Sequence, residues 1–199
     1  MNEFLKGKNV VLASNSPRRK ELIAMLCDSF IVTPSKVDET IDDKIYSNFS
    51  DVAKDIPKYL AALKARDIAK NNFDSVVIGC DTVVSVNGVI LGKPIDENDA
   101  RLMLSLLSAK THRVVSGVCI CYKGKEKSFV CETLVHFRNI SKKEIESYVA
   151  TGEPMDKAGA YGIQGLGGLF STGITGDFYN VVGLPVSMLN EELNKFNTN

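Results

Sequence analysis

The stretch Ser75-Val76-Val77-Ile78-Gly79-Cys80-Asp81-Thr82-Val83-Val84-Ser85-Val86, followed by Asn87-Gly88 and Val89-Ile90-Leu91, constrains the fold more than any other part of the chain. A β-branched run of this length reads as a strand. Asn-Gly between two apolar runs is the strongest short signal for a type I′ turn, so the chain is expected to build a sheet around this hairpin. Asp81 interrupts the run. A carboxylate inside an apolar strand is costly unless it is paired or bound to a metal, or sits at a bulge with its own backbone partners.

A second apolar run, Val10-Val11-Leu12-Ala13, ends in Ser14-Asn15-Ser16-Pro17-Arg18-Arg19 and reads as a strand running into a helix. Ser16 suits the N-cap and Pro17 the first helical position, and the helix buries Leu22, Ile23 and Leu26. Its first turn is cationic (Arg18, Arg19, Lys20), where the helix dipole favours Asp or Glu. Two readings stand on spacing alone. Either an anion such as a phosphate sits among free amides and guanidinium forks, or the arginines point into water. There is no glycine-rich cradle, so the stretch is not a P-loop.

Any such anion site must be local, because Lys plus Arg (24) equals Asp plus Glu (24) and no global field favours nucleic acid or an acidic membrane. With 199 residues, 44% hydrophobic, the chain can bury a proper core as one domain spanning 1–199. Met1–Asn9 lacks the apolar core of a signal peptide and no run approaches the ~20 residues of a membrane span, so a cytoplasmic protein is expected. The five cysteines (Cys27, Cys80, Cys119, Cys121, Cys131) never form Cys-x-x-Cys and lie mostly in apolar runs. Reduced, buried thiols are expected in preference to a disulfide framework or a zinc site.

Elsewhere, Phe30–Pro34 reads as a strand that empties into Val37–Asp43, where Asp38, Glu39, Asp42 and Asp43 either gather a hard cation or form a solvated loop. Ser50 to Asn71 is helical, apolar at Val52, Ile56, Leu60, Leu63 and Ile68, with a new helical piece at Pro57. Lys64, one position past Leu63, can reach from the edge of the apolar face towards a neighbouring site. Asp96 and Asp99 open a helix through Ser108 with apolar Leu102, Met103, Leu106 and Leu107. Two strands follow, His112–Tyr122 and Lys127–Phe137, and His112 and His136 are read as structural. Ser141-Lys142-Lys143-Glu144 is a capping box for a helix ending at Thr151-Gly152. Glycines then alternate with Tyr161, Ile163, Gln164 and Leu166, suggesting ordered backbone close to a ligand. Leu184-Pro185 opens a closing helix through Phe196.

An anion site at a helix start, lysines able to join it, carboxylates in two places and a glycine-lined wall suit a metal-assisted reaction on a polyphosphate. Several motifs go further: Leu12-Ala13-Ser14-Asn15-Ser16-Pro17-Arg18-Arg19, Asp38-Glu39-Thr40, Asp81-Thr82-Val83-Val84, Gly92-Lys93-Pro94, Gly152-Glu153-Pro154, Asp156-Lys157-Ala158-Gly159-Ala160-Tyr161-Gly162-Ile163-Gln164-Gly165 and Asn180-Val181-Val182-Gly183-Leu184-Pro185. In order and spacing they resemble the Maf family of nucleoside triphosphate pyrophosphatases, from about Val10 to Leu189.

The resemblance implies an α/β fold, an elongated mixed β-sheet flanked by helices in two lobes with a central cleft, as in inosine triphosphate pyrophosphatases. It implies cleavage between the α and β phosphates of a nucleoside triphosphate, a divalent cation (Mg²⁺ or Mn²⁺), and a homodimer. Its catalytic carboxylate falls on Asp81 and its second carboxylate on Glu39; which is the base and which the metal ligand stays open, both being candidates for each role. Ser14, Arg18, Arg19, Lys64 and Lys93 would meet the triphosphate. Arg18, Thr82 and Gln164 stand where subgroups differ and resemble the dTTP/UTP subgroup more than the 7-methyl-GTP one, with the Gln164 amide able to read a pyrimidine edge. Two other readings remain: a nucleotide-binding regulator of cell division, and a pyrophosphatase for non-standard purine triphosphates. Cys80 replaces a small alanine before the Asp, and a thiol beside the base predicts sensitivity to oxidation. Lys44 to Phe49 looks like an insertion.

Overall fold

The computed structural model describes residues 1–196, and its sheet is organised by the hairpin strand. Strand β1 (Val10–Leu12) leads into helix α1 (Pro17–Ile23), strand β2 (Ile31–Val32), the single turn α2 (Asp43–Tyr46) and helix α3 (Val52–Ala69). Strands β3 (Val76–Val86) and β4 (Val89–Leu91) form the hairpin, with φ of 51° at Asn87 and 79° at Gly88, as a type I′ turn requires. Helix α4 (Glu97–Leu107), strands β5 (Thr111–Tyr122) and β6 (Lys125–Phe137) and helix α5 (Lys142–Val149) follow. After 3₁₀ turns at Glu153–Asp156, Ala158–Ala160 and Leu166–Phe170 come strand β7 (Ser171–Thr175) and helices α6 (Phe178–Val182) and α7 (Val186–Phe196).

The seven-stranded sheet is mixed and runs β2-β1-β3-β5-β6-β7, with β4 added to β3. One edge of β3 pairs with β5 from Val77 to Ser85. The other edge is divided: β1 pairs in parallel with Val76–Ile78, and β4 pairs antiparallel with Val84–Val86. Among the described residues, Gly79–Val83 therefore have no strand partner on that edge. A strand buried at both ends is opened in its middle, where Asp81 lies.

The core divides at the same place. One apolar cluster joins Val76, Ile78 and Cys80 of β3 to α1, α7 and the N-terminal Phe4 and Leu5. A second joins Val84 and Val86 to α4, α5, Phe137, Tyr161 and Phe170. Helix α3 lies across the sheet on glycines. An added Cβ at Gly79 would come 2.8 Å from Ala65 N and 2.9 Å from Ala65 Cβ, and one at Gly117 would overlap the Pro57–Lys58 peptide. Backbone therefore packs on backbone.

Several expectations are revised by this packing. α3 runs unbroken through Pro57, which is buried over Gly117; close contact with the sheet holds the helix across the missing N–H. Its buried face consists of Ala53, Pro57, Leu60, Ala61, Ala62, Ala65 and Ile68, and Leu63 is only half-buried, because the facing glycines select small residues. In α4 the Asp96 side chain caps Asp99 N, and this start phases the buried stripe onto Ala100, Met103, Leu104 and Leu107, leaving Leu102 and Leu106 exposed. Ser16 stands at the N-cap of α1 without a side-chain bond to the helix. The Ser141–Glu144 capping box is formed as expected. β7 has no counterpart in the sequence reading, its Ser-Thr-Gly composition being poor in strand signal. No helix among the described residues is long and apolar enough to cross a membrane.

Candidate active site

The gap in the edge of β3 opens into a cleft of about 1010 Å³ lined from both cores. On its floor, Asp81 Oδ1 accepts from Lys64 Nζ at 2.8 Å, and the same ammonium lies 2.7 Å from Glu39 Oε2. The Lys64 and Asp81 side chains are only 12% and 15% exposed, whereas Glu39 is half-exposed. Burial works against the charge on Lys64, but the carboxylates of Asp81 and Glu39 more than offset it and hold its pKa above the ordinary lysine range. The two carboxylates thus converge on one cationic centre. Their all-oxygen donor set fits a hard divalent cation, with further positions left to phosphate oxygens and water.

Arg19 forms the wall beside them. Its guanidinium donates to Gly183 O (2.9 Å), Cys80 O (2.8 Å), Ser14 Oγ (3.2 Å) and Thr82 Oγ1 (3.0 Å). All four acceptors are neutral and, among the described residues, no carboxylate forms an ion pair with Arg19, so its position is fixed while its charge is left unbalanced towards the cleft. Ser14 is buried, and its hydroxyl also accepts from Ser16 N at 3.3 Å. Thr82 shares a 2.8 Å hydrogen bond with Ser116, which ties it to β5. Lys93, on the loop after β4, also lines the cleft and is exposed. Arg18 crosses the cleft mouth to Asp156 Oδ2 at 3.0 Å, joining the start of α1 to the glycine-rich segment.

That segment is held from beneath by a residue to which the sequence reading assigned no role. Glu153 accepts from Leu166 N (3.0 Å), Gly167 N (3.2 Å) and Tyr148 Oη (2.9 Å), and Tyr148 Oη in turn accepts from Gly162 N at 3.2 Å. Burial acts against the Glu153 carboxylate, yet these donors hold its pKa below the usual value. The loop they shape presents Gln164, exposed, along the cleft. Behind it Tyr161 Oη and His112 Nε2 are 2.8 Å apart in an aromatic cluster with Phe137. Burial pushes the His112 pKa down to about 4, so the ring is neutral.

The structure thus gathers Ser14, Arg18, Arg19, Glu39, Lys64, Asp81, Thr82, Lys93 and Gln164 around one cleft. It separates the acidic run, in which only Glu39 lines the cleft: Asp38 accepts from Thr40 N, and Asp42 caps α2. The four carboxylates do not form one cation site, because the chain turns between them. Of the stretch Lys44 to Phe49, Lys44, Ile45 and Tyr46 belong to the turn α2, and only Ile45 and Phe49 are partly covered. Cys80 is also corrected. Strand alternation turns its thiol away from the Asp81 side chain into the core, where Sγ donates to Gly183 O at 3.3 Å and burial raises its pKa, so the thiol is not the exposed, reactive neighbour of Asp81 that was expected. A role for Glu153 was not legible because the groups that donate to its carboxylate lie five to fourteen residues away in sequence.

The family described as Maf-like protein matches residues 9–196 of the chain. A dTTP/UTP pyrophosphatase of Bacillus cereus (strain ATCC 10987 / NRS 248) is 48% identical over 190 residues, covering 96% of this chain and 91% of the relative. Proteins of the same name from Bacillus cereus (strain AH820) and Bacillus thuringiensis subsp. konkukian (strain 97-27) are each 48% identical over 190 residues, covering 96% of both chains.

Proposed function

The chain belongs to the Maf family, and on that premise we propose that it is a nucleoside triphosphate pyrophosphatase. It hydrolyses the α–β phosphate bond of dTTP and UTP, and of modified pyrimidine triphosphates presenting the same edge, to the monophosphate and pyrophosphate. The observation that carries this reading is the Asp81–Lys64–Glu39 arrangement at the open edge of β3, facing the uncompensated charge of Arg19. Phosphoryl chemistry needs positioning and charge stabilisation more than covalent participation, and the cleft supplies both.

Asp81 is the half-buried acceptor that takes a proton from the attacking water, and the 2.8 Å contact with Lys64 keeps its carboxylate aimed. Arg18, Arg19 and Lys93 neutralise the triphosphate and the departing pyrophosphate, and Ser14 holds Arg19 in place. A divalent cation, Mg²⁺ or Mn²⁺, would be held by Glu39 and Asp81 and would polarise the phosphate oxygens. Gln164 reads the pyrimidine edge with one donor and one acceptor, on a loop set by Glu153, and Thr82 helps to fix Arg19. The reading carries with it a cytoplasmic setting, a single domain and a homodimer.

The test is pyrophosphate release from dTTP, UTP, CTP, GTP, 7-methyl-GTP and ITP with Mg²⁺ or Mn²⁺, beside the Asp81→Asn variant. Release from dTTP and UTP, lost by about a thousandfold or more in the variant, is expected. Preference for another base would overturn the specificity assignment. Binding of triphosphate without release of pyrophosphate would replace the enzyme with a nucleotide-binding regulator.

A further inference from the structure

Two cysteines scattered among apolar positions in the sequence become neighbours in the sheet. Cys119 and Cys121 project from one face of β5, and their sulfurs are 3.9 Å apart. β6 places Ser128 opposite Cys119 and Glu126 opposite Cys121 in the antiparallel register. Cross-strand partners share a face, so two sulfurs, a carboxylate and a hydroxyl form one compact patch. Both sulfurs and a Glu126 oxygen lie within 4.8 Å of one another. Ser128 Oγ is buried beside the Cys119 thiol, with no hydrogen bond to any other group among the described residues.

The spacing discriminates between the chemistries open to a thiol pair. Two sulfurs at ~2.3 Å from a tetrahedral Zn²⁺ stand ~3.8 Å apart, close to the separation observed. A disulfide needs ~2.05 Å, a closure of nearly half that separation between residues fixed on a doubly paired strand. The patch lies under the C-terminal half of α3, against Ala62, Ala65 and Ile68. Arg66 of that helix holds Glu126 by hydrogen bonds of 2.7 and 2.8 Å. A surface groove of about 260 Å³, bordered by Arg66, Phe73 and Lys125, reaches Cys121 and Glu126.

We propose that Cys119, Cys121 and Glu126 form a binding site for a thiophilic divalent cation, Zn²⁺ or Cd²⁺, distinct from the oxygen-lined cleft. On binding, both S–H bonds break, two metal–sulfur bonds form and two protons leave to solvent, and the Glu126 carboxylate supplies the third ligand. Two thiolates, one carboxylate and a divalent ion leave one net negative charge, which Arg66 offsets. Ser128 Oγ, already beside the Cys119 sulfur, donates to the thiolate formed there. Donor softness keeps the two sites apart: thiolates select Zn²⁺ or Cd²⁺, whereas the carboxylates of the cleft suit Mg²⁺ or Mn²⁺.

The experiment titrates Cd²⁺ into the reduced, metal-free full chain in excess Mg²⁺, following the ultraviolet thiolate-to-cadmium charge-transfer band and proton release. One equivalent is expected to saturate the band with two protons released, and Zn²⁺ to displace Cd²⁺. Cys121→Ser should abolish the band, while Cys131→Ser and Cys27→Ser leave it intact. Glu126→Gln, at the rim of the groove and without effect on core packing, should weaken binding about tenfold or more, and decides the matter if Cys121→Ser fails to fold. Absence of a stoichiometric band, its persistence in Cys121→Ser, or unchanged affinity in Glu126→Gln would overturn the proposal.

Discussion

Lys64 Nζ lies 2.8 Å from Asp81 Oδ1 because Gly79, two residues before Asp81, lets α3 rest its backbone on β3. The Lys64–Asp81 contact and the helix–sheet packing are therefore one piece of geometry. Gly79→Ala would drive a methyl into Ala65 and lift the helix. A loss of stability of about 2–3 kcal/mol is expected, with a fall in kcat beyond what the unfolded fraction accounts for. Urea denaturation and kcat measured on the same sample check both, and a variant as stable and active as the parent would contradict the coupling.

Lys64 is also the cation on which Asp81 and Glu39 converge. Lys64→Gln shortens the side chain by one atom and removes the charge, and kcat/KM for dTTP should drop by roughly two orders of magnitude or more. Pyrophosphate release at saturating Mg²⁺ separates this from a loss of metal affinity. A rate within a few-fold of the parent would remove Lys64 from the reaction.

Glu153 anchors the loop that carries Gln164. Glu153→Gln places an amide where three donors converge, so the contacts with Leu166 N, Gly167 N and Tyr148 Oη weaken together. The expected outcome is a KM for UTP raised about tenfold, with kcat less affected and poorer discrimination against CTP. Equal losses in kcat and kcat/KM, with KM unchanged, would show that the loop acts on the chemical step instead.

His112 gives stability a pH dependence of defined sign. Its pKa is about 4 in the folded protein against 6.5 for a free imidazole, so between those values the unfolded chain binds the extra proton. Stability from this group is complete above pH 6.5 and is lost as pH falls towards 4, by about 2 kcal/mol between pH 7 and pH 5. The depressed carboxylates, Glu153 and Asp156 among them, add their own losses only below about pH 4.5. Denaturation midpoints across pH 5–7 should therefore slope in the parent and flatten in His112→Gln.

The sequence alone determined what depends on neighbours in the chain. The Asn87-Gly88 turn, the Ser141–Glu144 capping box, the Asp96 cap and the long strands are set by local dihedral preference and short hydrogen bonds, and they are present as read. Asp81 stood out because a charge breaks an apolar run wherever that run packs. Tertiary structure decided whatever rests on close approach between distant segments. The small-residue face of α3 has meaning only against Gly79 and Gly117, and the gap on the edge of β3 exists only because β1 and β4 claim its two ends. The charge of Arg19, the anchoring by Glu153 and the pairing of Cys119 and Cys121 with Glu126 arise the same way. Side-chain hydrogen bonds and ligand sets act over about 3 Å, and only folding brings residues that far apart in sequence within such a distance.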